Sequence, residues 1–308
     1  MAIGSQTLRI RASSTTTIDR APELALAFVP ALLTAIAFVE LPAWIRMWLL
    51  AATIFFAFKL LTWRRAIVAG QVPALGRSLA YLLAWPGMDA EMFLSDEKPP
   101  SSPTVSRWCE AIFKTSLGLG LVGVAATVLR DSHPTLAAWT ALVGLIFLLH
   151  CGLFHVLALV WQSRGVTAVP IMDRPFLATS LADFWSRRWN TAFHQLADYY
   201  VYRPLLKRTS PGVAIAIVFL ASGVIHDLVI TVPAGGGYGL PTLYFLLQAA
   251  AILLARSAIG RRMRWHRGWR ARLSAAVVLI APLPLLCPQP FREHVVLPML
   301  VDLRWFLN

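Results

Sequence analysis

A chain of 308 residues is long enough for one or two soluble domains. Its composition excludes them: 57% of the residues are hydrophobic and 14% charged, against roughly 25% charge in soluble domains. The net charge of +13 would suggest nucleic acid in a soluble protein, but in a membrane protein Lys and Arg first mark cytoplasmic loops.

Uncharged runs cover 24–39, 115–129, 132–163, 209–226, 228–255 and 273–291. Several match the ~20 apolar residues that cross a ~30 Å hydrocarbon layer. The expected fold is therefore all-α, a polytopic bundle of about seven to nine membrane segments with interfacial amphipathic helices. In chain order, residues 1–21 form a polar arm, followed by spans at about 22–39 and 42–62. A loop over 63–110 holds Leu79–Pro86 (LAYLLAWP), apolar but too short to span and broken by Gly87-Met88-Asp89; it reads as re-entrant or interfacial. Spans at 111–129 and 136–161 precede a second long loop, 162–211, and spans at 212–232, 239–255 and 273–290 complete the set. Residues 294–308 read as a half-span. No soluble domain is visible, so 1–308 is read as one integral-membrane unit.

With the N-terminus in the cytoplasm, this layout places 22 basic residues inside and Arg130, Arg292 and Arg304 outside, while Arg46, Lys59 and Lys114 fall near span ends. The basic excess is then topological, with membrane lipid head groups as partners and no role for nucleic acid. Abundant Ala, Arg and Leu point to a bacterial inner membrane. Cys109, Cys151 and Cys287 are scattered, without a CxxC pair, and give neither a disulfide framework nor a metal site.

The chemistry concentrates in two places. Ser180–Arg203 (SLADFWSRRWNTAFHQLADYYVYR) opens with a capping-box pattern, Ser180 and Asp183. Helical periodicity from there predicts an amphipathic helix over 180–204. Leu181, Phe184, Trp185, Trp189, Ala192, Phe193, Leu196 and Tyr199 share one face; Asp183, Arg187, Asn190, His194 and Asp198 share the other. Asp183 and Arg187 are spaced for an i,i+4 ion pair. An interfacial helix alone would explain much of this, but not two Trp, two Arg and an Asn within 185–190.

The second place is Phe219–Leu228 (FLASGVIHDL), where His226 and Asp227 lie within an apolar span. Ionisable groups there are costly and mark function by default. Ser222 lies one turn before His226, and Gly223 lets another backbone or a substrate approach. His150 and His155 are also intramembrane, but their five-residue spacing puts them on different faces, so they read as packing residues.

At these two motifs the sequence is similar to a known family. Ser180–Asn190 (SLADFWSRRWN) resembles the SLxDFWGRRWN signature of the wax synthase branch of the membrane-bound O-acyltransferase (MBOAT) superfamily. Val201-Tyr202-Arg203-Pro204 resembles its VYxP continuation, Ser222–Asp227 its SGxxHE element, and Leu83–Asp89 its WPGMD segment. Ser186 stands where Gly is usual, and Asp227 where Glu is usual. The resemblance implies an MBOAT-like bundle that transfers an acyl group from acyl-CoA, a co-substrate, to a lipid or alcohol hydroxyl, without cofactor or metal. It also implies His226 as general base and Asn190 as its catalytic partner.

A neutral imidazole suits proton removal from an alcohol, and an untitratable carboxamide suits an oxyanion. Trp185, Arg187, Arg188, Trp189, Asp183 and Ser222 are the candidate substrate-binding residues, the two arginines for CoA phosphates. The expected product is a wax ester from a long-chain alcohol. A tailoring acyltransferase for a polar metabolite is the nearest alternative, and a proton-coupled transporter using His226 and Asp227 the alternative of another class.

Overall fold

The computed structural model describes residues 26–97, 101–263, 265 and 268–307. The polar arm, with Arg9, Arg11 and Arg20, lies outside them. The described chain is all-helical, and no strand occurs among the described residues. Five helices are long and apolar enough to cross a membrane: α2 (Ala43–Val68), α5 (Val105–Leu129), α6 (Pro134–Ser163), α9 (Pro211–Ala234) and α11 (Gly268–Leu286). Two shorter apolar helices, α1 (Val29–Phe38) and α10 (Leu240–Arg256), fall where the remaining expected spans lie. The protein is thus a polytopic helical membrane protein with five helices of spanning length among the described residues, fewer than the seven to nine segments expected.

In the stretch expected to re-enter, α3 (Leu75–Ala84) stops at Trp85 because Pro86 cannot continue it. An extended passage through Gly87 and Met88 leads into the short α4 (Ala90–Leu94), capped by the Asp89 carboxylate on the Met92 N–H. Tyr81, Trp85 and Phe93 from this stretch are buried against Ala66 and Ala158 of α2 and α6. At the far end, α12 (Leu297–Leu307) follows a π-helical turn at Arg292–Val296.

Lipid chains offer helices no hydrophobic gain for associating, so small residues that admit close backbones decide the packing. Helices α5 and α6 are in close contact along Gly118, Gly144 and Gly152: a Cβ at Gly118 would lie 2.2 Å from the Leu148 nitrogen. Beside them, Ala125, Ala126, Ala137, Ala138 and Ala141 pack on Val295, Val296 and Leu300 near the C-terminus. Large apolar side chains such as Phe38, Leu119 and Ile280 instead face outward, as a lipid-facing surface requires.

Candidate active site

The 180–204 segment does not form the continuous helix that its periodicity predicts. A single turn, α7 (Leu181–Asp183), runs into a π-helical turn over Phe184–Arg188 and stops at Trp189, which is extended. Asn190 then takes the left-handed conformation, φ 43° and ψ 60°, and starts α8 (Thr191–Ala197). Asn is among the few non-glycine residues that adopt this region readily. The apolar stripe and the polar stripe are therefore split over two pieces that meet at Asn190.

The corner is held from all sides. The Asn190 N–H points to the Met172 sulfur at 3.3 Å, the Thr191 N–H donates to the Ile171 carbonyl, and the Asp173 N–H donates to the Arg188 carbonyl. Asn190 Oδ1 accepts the Phe193 N–H at 3.2 Å, an N-cap bond. Its carboxamide NH₂ makes no hydrogen bond within the described chain. The turn thus uses the oxygen of this side chain and leaves its donors free.

Asp183 is the anchor of the segment. Ser180 Oγ caps the Asp183 N–H at 3.1 Å, and the buried carboxylate accepts the Thr179 N–H and hydroxyl, Arg187 Nε at 3.0 Å and Arg188 Nε at 2.8 Å. Burial alone would raise its pKa, but the Thr179 N–H and the Arg188 guanidinium outweigh it and hold the carboxyl at about 2. The expected Asp183–Arg187 pair is present, joined by Arg188. The two arginines differ: the Arg187 side chain is 73% exposed, while that of Arg188 is 23% exposed and turned back toward the Asp173 and Arg174 carbonyls.

On the membrane side, α9 is α-helical from Pro211 to His226 and π-helical from Asp227. His226 Nδ1 lies 2.7 Å from the Ser222 carbonyl. A carbonyl only accepts, so the ring carries its hydrogen on Nδ1 and, when neutral, offers the Nε2 lone pair. Ser222 thus acts through its backbone; its own hydroxyl is turned to the Val218 carbonyl. Phe245 of α10 lies against the imidazole, centroids 4.4 Å apart.

Asp227 is spent on the start of the same helix, α10. Its carboxylate accepts the Gly239 N–H at 2.8 Å, the Thr242 N–H at 3.0 Å, the Thr242 hydroxyl and the Thr231 hydroxyl. It closes the start of α10, where free N–H groups favour an anion. Gly223 makes room for that helix: a Cβ there would lie 2.6 Å from the Thr242 Cα. Of the two approaches open to Gly223, the structure has another backbone.

Asn190 and His226 share no hydrogen bond. They are linked by aromatic contacts: Trp189 stacks on Phe184 (5.3 Å), Phe184 meets Trp185 (5.1 Å), and Trp185 meets Phe245 (5.6 Å), which carries His226. Trp185 Nε1 also points to Gln248 of α10 at 3.4 Å.

Sequence reasoning missed three supports. Phe245 carries no signal that separates it from any span aromatic. Gln248, fully buried, donates to the Val278 carbonyl and ties α10 to α11. Lys59, expected near a span end, is completely buried; its Nζ donates to the Gly87 carbonyl at 2.7 Å and lies over the Tyr81 ring at 3.1 Å. It pins the Trp85–Asp89 passage, whose Met88 packs with Met172, Ala192 and Trp189 around the Asn190 corner. A lone lysine within a span was the available signal.

Fold and site define an integral membrane protein in which a span imidazole of fixed tautomer is joined by packed aromatics to a corner that exposes a carboxamide. Residues 168–247, which hold both features, match the Membrane bound O-acyl transferase family. The chain is 27% identical to the long-chain-alcohol O-fatty-acyltransferase of Simmondsia chinensis, over 42% of this chain and 41% of that protein. It is 28% identical to "Probable long-chain-alcohol O-fatty-acyltransferase 2" of Arabidopsis thaliana, over 60% and 54%. Diacylglycerol O-acyltransferase 1-1 of Oryza sativa subsp. japonica is 28% identical over 37% and 20%. The chain spans about two-fifths to half the length of the two long-chain-alcohol relatives. These matches support the wax synthase branch of the membrane-bound O-acyltransferases.

Proposed function

We propose that this protein transfers a fatty acyl group from acyl-CoA to the hydroxyl of a long-chain alcohol, with both substrates bound at once. The observation that carries the reading is the pair of unspent groups: the Nε2 lone pair of His226 and the carboxamide NH₂ of Asn190. Nε2 removes the alcohol proton as its oxygen attacks the thioester carbon, and the Asn190 NH₂ holds the oxygen on which negative charge develops. When the carbon–sulfur bond breaks, the imidazolium returns the proton to the CoA thiolate. No covalent acyl-enzyme is required. Trp185, Trp189 and Phe184 form the wall along which the two substrates meet. The 73% exposure of the Arg187 side chain supports a role toward CoA phosphates, while Arg188 and Asp183 keep the segment in place.

The saturated Asp227 carboxylate favours this reading over a His226–Asp227 proton relay, since a relay member must exchange its partners. The two relatives named for long-chain alcohols support that acceptor class over a polar metabolite. Charge distribution supports cytoplasmic placement of the 63–110, 162–211 and 256–272 loops, and composition favours a bacterial inner membrane, although the relatives are plant proteins.

The test is ester formation by membranes expressing the chain, given labelled acyl-CoA and separate panels of long-chain alcohols, diacylglycerol, sterols and polar alcohols. A labelled wax ester that disappears with His226→Ala is expected. Ester formation unaffected by that substitution, or transfer confined to polar acceptors, contradicts the reading.

A further inference from the structure

His150, which the sequence presents as a packing residue, has an environment that packing alone does not explain. Among the described residues, only two fully enclosed side-chain polar atoms lack a hydrogen-bond partner: Arg46 Nε and His150 Nδ1. The Arg46 guanidinium is nonetheless held at its other nitrogens by the Ala37 and Pro233 carbonyls. Other buried polar groups are satisfied: Lys59 on Gly87, Gln162 on Ala168, Gln248 on Val278, Thr62 on Tyr81. Among the described residues, His150 Nδ1 is the only histidine nitrogen that is fully enclosed without a partner, and its Nε2 makes no hydrogen bond either.

The ring sits within the eight-residue π-helical stretch of α6, Ile146–Leu153, a conformation that is rare and concentrates at functional sites. It stacks on Trp189, centroids 6.4 Å and planes 15° apart, and meets the edge of Phe154. Trp189 precedes Asn190, and it packs with Cys151, next to His150, and with Met172, whose sulfur faces the Asn190 N–H. The imidazole therefore packs on the residue that immediately precedes Asn190, in the cluster that holds the Asn190 backbone.

The tautomer follows from the enclosure. A sealed N–H without an acceptor is rarer in proteins than a sealed acceptor without a donor. Nδ1 has no acceptor, so the hydrogen is assigned to Nε2, which is not enclosed. His226 is the opposite case, with its hydrogen fixed on Nδ1. One histidine presents a lone pair, the other a donor.

We propose that His150 is a second donor to the substrate, its Nε2–H binding the thioester carbonyl oxygen of the acyl donor beside the Asn190 NH₂. The assignment rests on the acyltransferase reading. A carbonyl oxygen has two lone pairs and accommodates both donors. In the step itself, the alcohol proton passes to His226 Nε2, the carbon–oxygen bond forms, the carbon–sulfur bond breaks and the thiolate takes the proton. His150 keeps its own proton throughout.

The experiment compares the purified full-length protein in nanodiscs with its His150→Phe, His150→Gln and His226→Ala variants, varying each substrate at saturating concentration of the other. Phe keeps the stack on Trp189 and removes the donor; Gln restores an N–H. A fall in kcat of about 100-fold is expected for His150→Phe, with KM for the alcohol unchanged and at least tenfold recovery in His150→Gln. If the wild-type protein is active and His226→Ala is not, yet His150→Phe retains full kcat, the assignment of His150 falls while the acyltransferase reading stands. If the wild-type protein forms no ester, both fall.

A second readout needs no variant to fold as the wild type does: ¹⁵N NMR of histidine-labelled protein with a ketone analogue of acyl-CoA, in which a methylene replaces the sulfur. Two histidines of opposite tautomer are expected, with the Nε2–H signal shifting on addition of the analogue. Finding every intramembrane histidine protonated at Nδ1, or no Nε2–H shift, overturns the proposal.

Discussion

The α9–α10 pair and the 180–204 segment solve the same problem, holding one polar side chain ready, by opposite means. In α9–α10 the polar groups are held internally: His226 at Nδ1 by its own helix, Asp227 by the start of α10, Gln248 by α11. A membrane interior supplies no water to do it. The 180–204 segment gives up helical continuity and is held by a charged knot, Asp183 with two arginines, one of them largely exposed. The imidazole is thus positioned by helix packing and the carboxamide by a backbone corner. The two should therefore fail in different ways.

Removing the reacting groups is expected to have the largest effects. His226→Ala should lower kcat by about 10³-fold or more, the upper range for a general base. Asn190→Ala should lower it by about 100-fold, as for loss of one oxyanion donor, and should also loosen the corner, seen as faster proteolysis near residue 190. His226→Ala should leave that cleavage unchanged. Equal cleavage in both variants would erase the distinction between the two regions.

Asp183→Asn leaves two guanidinium groups without their carboxylate. A destabilisation of about 3 kcal/mol is expected, discounted where exposed Arg187 is screened by water, and measurable as a lower thermal unfolding midpoint. The sign with pH follows from the depressed pKa. The carboxylate's contribution is complete above the ordinary Asp value, near pH 4, and is lost as pH falls toward about 2. Unfolding of the wild-type protein in acid should show this loss; Asp183→Asn should not.

Gly223→Ala tests the helix-packed region. Its methyl meets backbone at Thr242, not a yielding side chain, so α10 must move, at about 1–3 kcal/mol. Phe245 moves with it, so kcat should fall along with stability. A stable, fully active Gly223→Ala protein would show that the α9–α10 contact does not position His226. Smallest is Arg187→Ala: stability within about 1 kcal/mol, with KM for acyl-CoA raised several-fold. An unchanged KM would remove Arg187 from the donor site.

How far the sequence reaches differs between the regions. Uncharged runs locate the helices because charge is excluded from hydrocarbon. His226 stands out for the same reason, and Gly223 is legible because small residues permit close approach. Asn190 is marked by its motif, but its corner is hidden: periodicity assumes an unbroken helix, and a single left-handed residue leaves no periodic trace. The roles of Ser222 and His150 depend on which atoms neighbours satisfy. Ser222 holds His226 through a carbonyl that every residue possesses, and nothing in residue type distinguishes a bonded imidazole nitrogen from an orphaned one.

The central claim is that His226 and Asn190, held by different parts of the molecule, act on one transition state. The most direct measurement is a double-mutant cycle in single-turnover ester formation with His226→Ala, Asn190→Ala and both together. Groups that act as a unit are strongly non-additive, so the double variant should be no more than a few-fold slower than His226→Ala alone. A double variant slowed by the full product of the two single effects would place the imidazole and the carboxamide in separate events and contradict the account.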